Sequence, residues 1–439
     1  MGPLRTLISL CLAGALLTAC GPGQASKQAQ PAQPAASAAP PWTAPSGQDQ
    51  RGAILKKEHK GTVGVEEINA VANKFLVGGA LPARYGVDWY RVELQSTDRD
   101  EKPLKVVAQL FVPKSDQAST FPLYVFGPGT TGLNDQCAPP NEQPNERSWG
   151  DFHSHLLTYA GQGYIAVMPD YEGFNDGPRL HHYYVGDQQA RVMLDATRAA
   201  LRFFDSASAG QPSATKQPAQ KQNPVFVAGY SHGGYVAFAT RDLAPKYAPE
   251  LKLMGVVGYG PRSEVSTLFK DMPSLGPYVL YSYANYYGAD KVPIDKLIQP
   301  RLLPTLERDV TTKCIDEVVG YYGDDPAAIY SPEFLGALKQ GTLGQQFPAL
   351  KQIFDQNKAG LSTSAKNVPV LVLHGTNDTV VAPETLRTYM QELCSAGGKG
   401  QYVAYPNLPH TLIRQTGYQD TIRWMEAVRS GQFPKNDCA

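Results

Sequence analysis

The sequence predicts an α/β fold, a mostly parallel sheet with helices on both faces, and three observations carry that prediction. Short apolar runs of strand length recur along the chain. Segments with apolar residues at helical spacing separate them. One apolar run also passes through a glycine-framed turn straight into a helix, the junction that parallel sheets use.

The first 50 residues stand outside this pattern. Arg5 precedes an apolar run from Leu7 to Leu17 that ends in Leu17-Thr18-Ala19-Cys20. The run is too short for a bilayer and reads as a signal peptide over residues 1–19. A small residue followed by cysteine resembles the lipobox of bacterial lipoproteins, which implies a lipid on Cys20 and anchorage of the body to a membrane. Residues 20–50 are dominated by Pro, Ala, Gln, Ser and Gly and read as a flexible tether. Gly21 is not acidic, so nothing beside the anchor favours inner-membrane retention. The expected location is therefore the cell envelope, outer membrane or surface, with the body periplasmic or extracellular.

The remaining stretch of about 390 residues is long enough for one large core with an inserted subdomain. Forty basic and forty acidic residues balance, which gives no reason to expect a nucleic-acid partner. The core begins with a strand pattern at Leu104–Val112, alternating as a half-buried strand does. Leu123–Phe126 is a second strand, followed at once by Gly127-Pro128-Gly129. Trp149–Ala160 is helical, Tyr164–Met168 a strand, and Gln188–Phe204 an amphipathic helix. Val225–Ala228 is a buried strand, and the sequence after it is helical through Ala244. Leu253–Val257, Val368–Leu373 and Gln401–Tyr405 complete the strands, and Tyr418–Val428 is the closing helix.

Residues 262–363 break the rhythm: Tyr, Pro, Leu and Gly abound, but no apolar strand does. So long a stretch without structure is improbable in a compact domain, and a helical cap is expected, dividing the core into residues 51–261 and 364–439. The Tyr-rich segment from Tyr278 to Tyr287 either lines a pocket or packs this cap on the body, and packing is the simpler reading.

Chemistry enters at Gly229-Tyr230-Ser231-His232-Gly233. The pattern Gly-x-Ser-x-Gly has meaning when a strand leads in and a helix leads out, because the sharp turn then lifts the hydroxyl above the sheet edge. Both conditions hold, which points to an α/β-hydrolase fold with Ser231 as nucleophile. A serine hydroxyl needs a base and a carboxylate that orients it, and in this fold they follow in the order Ser, acid, His. Asp378 lies just beyond the strand ending at Leu373. His410 follows the strand Gln401–Tyr405, in Pro406-Asn-Leu-Pro-His410. Asn377 cannot carry charge, and no other carboxylate occurs nearby before Glu384. Of the remaining histidines, His59 is too early, and His374 reads as a structural residue that bonds its turn. His153, His155, His181 and His182 lack the carboxylate pattern of a metal site, so neither metal nor cofactor is expected.

An oxyanion needs two fixed donors. One is expected from the backbone N–H of His232. The other is expected from the loop Gly127-Pro-Gly-Thr-Thr-Gly132, with Thr130 the candidate and Thr131 next to it. Beyond Cys11 and Cys20, four cysteines remain, Cys137, Cys314, Cys394 and Cys438; an exported chain would form two disulfides from them, by any of three pairings.

Taken together, GPGTTG, NDQCAP, GYIAVMPDYEGF, GYSHGG, HGTNDTVV and NLPH resemble the secretory lipases related to fungal lipase A, from about Leu104 to Val428. The resemblance implies a cap over an acyl-binding tunnel and hydrolysis of fatty-acyl esters through an acyl-enzyme. It also implies that Cys137 bonds Cys314 in the cap, which leaves Cys394 with Cys438. Two features depart from the family pattern: His232, where a small residue is usual, and the anchor with its tether. Two other functions fit the same motifs. A serine peptidase of this fold would need cap carboxylates to hold an amine, and Asp316, Glu317, Asp324 and Asp325 are available. A tethered binding protein would have lost the reaction, yet all three triad residues are present.

Overall fold

A computed structural model describes residues 49–115, 120–143, 148–175, 177, 179–203, 223–433 and 435–438. The expected signal peptide, Cys20 and nearly all of the tether lie outside the described residues.

The sheet opens with elements that do not stand out in the sequence. Strand β1 (Ile54–Val63) is an edge strand whose lysines and glutamate face water, the charge pattern that keeps an open edge from pairing with another chain. Helix α1 (Val65–Phe75) turns Ile68, Ala72 and Phe75 inward. Strand β2 (Val87–Thr97) then pairs antiparallel with β1, and β3 (Pro103–Pro113) antiparallel with β2. Strand β3 is more than half-buried: past Lys105 every residue is inside, because helices cover both of its faces.

From here strand and helix alternate as the sequence predicts. They run β4 (Leu123–Gly127), α2 (Phe152–Gly161), β5 (Ile165–Pro169), α3 (Gly186–Arg202), β6 (Val225–Tyr230), α4 (His232–Tyr247) and β7 (Leu253–Tyr259). After the insertion come β8 (Val370–Gly375), the helix Pro383–Ser395, β9 (Gly400–Tyr405) and the helix Tyr418–Arg429. Helix α2 starts at Phe152, later than its apolar pattern suggests. The Glu142 carboxylate takes the N–H groups of Trp149, Asp151 and Phe152, and Asp151 caps the helix through Ser154 N.

The sheet order is β1-β2-β3-β5-β4-β6-β7-β8-β9, and every pairing from β5 through β9 is parallel. After β4 the chain steps to one side to form β5 and then back across to form β6. That reversal opens a crevice at the carboxyl ends of β4 and β6, where open α/β sheets place their sites.

Strands β4, β5, β6 and β8 are wholly buried, and each large apolar side chain there contributes about 1.5–3 kcal/mol. Several hydroxyls in this core are paired with one another. Tyr124 bonds His155 (2.9 Å) and Tyr259 (3.2 Å), and Tyr259 bonds Tyr159 (2.7 Å) and Thr421 (3.0 Å).

Between β7 and β8 the chain forms helices and turns, with one isolated bridge, Ile298 to Tyr330. The longest helix, Gly276–Tyr287, buries Tyr278 and Tyr283, whose hydroxyls donate to Lys313 O and Tyr184 O. Tyr283 thereby joins the insertion to the body, and Tyr278 does so through its ring, 6.0 Å from that of Tyr183. Among the described residues there are two disulfides. Cys137–Cys314 ties the loop after β4 to the insertion, and Cys394–Cys438 ties the helix Pro383–Ser395 to the chain end. Among the described residues, no helix is long and apolar enough to cross a membrane.

Candidate active site

Ser231 stands between β6 and α4 with φ 55° and ψ −115°, a strained backbone for a residue with a side chain. The turn is held because Ser231 N donates to Tyr259 O at 2.9 Å. It can be this tight because two glycines frame it. A methyl on Gly229 would run into Gly233, and one on Gly233 would run into the Gly127 carbonyl. Ser231 is partly exposed, whereas the residues on either side of it are buried.

Asp378 and His410 sit on two loops clipped together at the same sheet edge. Thr376 N donates to Tyr405 O, Asn377 N to Leu408 O, and Asn407 N to Thr376 Oγ1. The result is a contact of 2.6 Å between His410 Nδ1 and Asp378 Oδ2, both side chains nearly inaccessible. Asp378 Oδ1 accepts Val380 N (2.9 Å) and Val381 N (2.8 Å). Burial by itself would raise this carboxyl, but hydrogen bonds from His374, His410 and Val381 N outweigh it and hold the group well below the ordinary carboxylate range. His374, read from the sequence as a turn residue, bonds Val381 O (3.0 Å) and also lies 3.2 Å from Asp378 Oδ2.

His410 reaches toward the elbow. Its ring centre is 5.1 Å from that of Tyr230, the residue before Ser231. Gly260, at φ 53° past β7, leaves the space the imidazole fills: a methyl there would lie 2.9 Å from Cε1. His410 Nε2 is buried and makes no hydrogen bond, to Ser231 or to any other residue described. Bonds of this kind are commonly long in resting enzymes and tighten with substrate.

His232 is the first residue of α4, and its N–H is one of those a helix leaves without an intrahelical partner. Its side chain bonds the Gln189 amide of α3 at 2.9 Å and is ringed by Tyr171, Tyr183 and Tyr184. Burial holds this imidazole well below its usual pKa, hence neutral. The loop carrying Thr130 lies against the elbow, since a methyl on Gly129 would sit 2.8 Å from the Tyr230 ring. Thr130 Oγ1 and the Tyr183 hydroxyl are 2.6 Å apart, while Thr131 O takes the N–H of Ile315 from the insertion.

Other polar candidates serve elsewhere. His153 packs on Trp89 and Phe111, and His155 is in the tyrosine network. His181 bonds Glu172 O, and His182 lies 3.2 Å from the Glu172 carboxylate. Cys314, Asp316 and Glu317 approach one another, but that sulfur is already bonded to Cys137. Asp316 accepts Trp149 Nε1, Glu317 accepts Cys314 N, and Asp325 caps a short helix through Ala327 N. Three of the four carboxylates a peptidase could have used are thus engaged locally. Arg414, four residues past His410, gives no sequence signal; it is fully buried, donates to Gly150 O and lies over the Tyr230 ring at 4.6 Å.

The sheet order, the strained serine at a strand-helix turn and the acid and histidine on later loops define an α/β-hydrolase. The family model for secretory lipases matches residues 154–436, and the chain belongs to that family. It is a carboxylic ester hydrolase. Lipase A of Moesziomyces aphidis is 22% identical over 373 residues, covering 80% of this chain and 74% of that one. A secreted triacylglycerol lipase of Malassezia globosa is 25% identical over 371 residues, with the same coverage of each. Two solved structures share the fold. Candida antarctica lipase A in its closed state has a TM-score of 0.64 at 18% identity, covering 88% of this chain and 84% of its own. The rice cell wall degrading esterase LipA of Xanthomonas oryzae has 0.66 at 17%, covering 87% and 97%.

Proposed function

We propose that Ser231, His410 and Asp378 are the catalytic triad of this ester hydrolase and that its substrates are lipid esters. The observation that carries the reading is the 2.6 Å contact between His410 Nδ1 and Asp378 Oδ2, with Nε2 left unbonded beside the elbow of Ser231. A carboxylate at Nδ1 fixes the tautomer that offers a lone pair at Nε2. His410 Nε2 removes the hydroxyl proton as Ser231 Oγ bonds the ester carbonyl carbon, giving a tetrahedral oxyanion. The N–H groups of His232 and Thr130 are the proposed donors to that oxygen. The imidazolium then returns its proton to the leaving alkoxide, an alcohol departs, and water repeats the sequence on the acyl-enzyme.

Supporting a lipid ester are the named lipases among the relatives. The division into a core at residues 51–261 and 364–439, with a cap at 262–363, fits the helical insertion between β7 and β8. The Leu-Thr-Ala-Cys20 pattern supports lipidation of Cys20 and a place in the cell envelope. Chain lacking residues 1–50 is expected to hydrolyse p-nitrophenyl butyrate, and Ser231→Ala to abolish it; full activity in that variant refutes the assignment. Cys20→Ser is expected to release the body from the membrane fraction, and unchanged fractionation refutes the anchor.

A further inference from the structure

Both proposed oxyanion donors touch one side chain outside the triad. The Tyr183 hydroxyl is 2.6 Å from Thr130 Oγ1, and its ring centre lies 4.5 Å from the imidazole of His232. Tyr183 is 1% exposed, and burial drives its phenol well above its usual pKa, so it is present as the neutral hydroxyl. Its own backbone is pinned too: Tyr183 N donates to Ser282 Oγ of the insertion at 3.1 Å, and its ring meets that of Tyr278 at 6.0 Å. Tyr183 thus contacts the elbow, the Thr130 loop and the insertion at once.

Thr130 has less support of its own. It follows Pro128-Gly129, and it is partly exposed where Thr131 and Gly132 beside it are buried. A donor at such a place stabilises an oxyanion only if its direction is set before charge develops, since reorientation during the reaction cancels the gain. We infer that Tyr183 is a positioning residue that holds Thr130, and through it the second oxyanion N–H, in register with the N–H of His232. The inference rests on the proposed triad and oxyanion donors. Tyr183 touches neither substrate nor reacting atoms.

Tyr183→Phe keeps the ring and its packing while removing the hydroxyl, and Thr130→Val removes the other half of the same bond. Each is expected to lower kcat about tenfold, below the 100-fold or greater loss of a whole oxyanion donor. KM for p-nitrophenyl butyrate should stay within about twofold, because ground-state binding does not use the hole. Affinity for a trifluoromethyl ketone, which forms the tetrahedral adduct, should weaken by the same factor as kcat/KM. The double variant should be no slower than either single one, and Thr130→Ser, which retains a hydroxyl, should recover most of the rate. A merely structural role would raise KM, lower the melting temperature and weaken the ketone by no more than the change in KM. Multiplying losses in the double variant, or a Tyr183→Phe enzyme at more than half the wild-type kcat, would overturn the inference. If those results come with an inactive Ser231→Ala, only the role of Tyr183 falls; an active Ser231→Ala removes both.

Discussion

Replacing Asp378 by asparagine asks more of this site than the loss of one charge. Oδ1 accepts two backbone N–H groups, and Oδ2 accepts His410 Nδ1 and faces His374 Nε2, so both oxygens are acceptors against donors. Asparagine has one oxygen and one NH2 group, and backbone amides cannot change roles, so the oxygen should go to Val380 and Val381. The NH2 then faces His410, which must offer a lone pair at Nδ1 and carry its proton on Nε2. In that tautomer the nitrogen beside Ser231 cannot take a proton. The expected loss in kcat is on the order of 10⁴, the scale for a triad whose acid is made neutral with its geometry intact. At 1.36 kcal/mol for each tenfold step this corresponds to about 5.4 kcal/mol of barrier. Hydrolysis of p-nitrophenyl butyrate measures it, and labelling by a fluorophosphonate should slow alongside, since the same nucleophilic step is involved. Circular dichroism should be unchanged. A correctly folded Asp378→Asn enzyme with more than a tenth of the wild-type kcat would refute the role given to the carboxylate.

Asp170 allows a test of pH-dependent stability. Burial pushes its carboxyl up to about 8 against the opposing bond from Asn175 Nδ2, and Oδ1 has no partner. With a raised pKa the folded state retains a proton that the unfolded chain releases, so this group's contribution to stability falls as pH rises from about 4 to 8. Asp170→Asn is expected to show no gain near pH 4 and about 1–2 kcal/mol near pH 8, read from urea midpoints; a pH-independent difference would count against it. Gly260→Ala would bring a methyl 2.9 Å from the His410 ring at a positive φ. Displacing that imidazole should cost about 100-fold in kcat with the fold kept, and near-normal turnover would show that the ring is not held there.

Much of this fold can be read from residue order because the central strands are covered on both sides. Val225–Ala228 and Val370–Leu373 are unbroken apolar runs for that reason, and each leads into a glycine-bearing turn that carries chemistry. The first edge is different. β1 reads Ile-Leu-Lys-Lys-Glu-His-Lys-Gly-Thr-Val, and the charges that protect an open edge also erase the alternation by which a strand is recognised. The acid and base of the candidate site are legible from chain order. The second imidazole at Asp378 is not, since His374 could equally have bonded only its own turn. Tyr183 meets Thr130 across 53 positions, and Arg414 reaches Tyr230 through the interior. Such encounters depend on how loops close over the sheet, and no local spacing encodes them.

The bond between Cys137 and Cys314 limits how the entrance can work. Around it, Ile315 N donates to Thr131 O, and the side chains of Asn134 and Gln136 reach the carbonyls of Thr311 and Thr312. At this corner the insertion and the loop after β4 are joined by one disulfide and three hydrogen bonds. Relative movement of the insertion and the loop after β4 is therefore smallest at this corner and can grow only with distance from it.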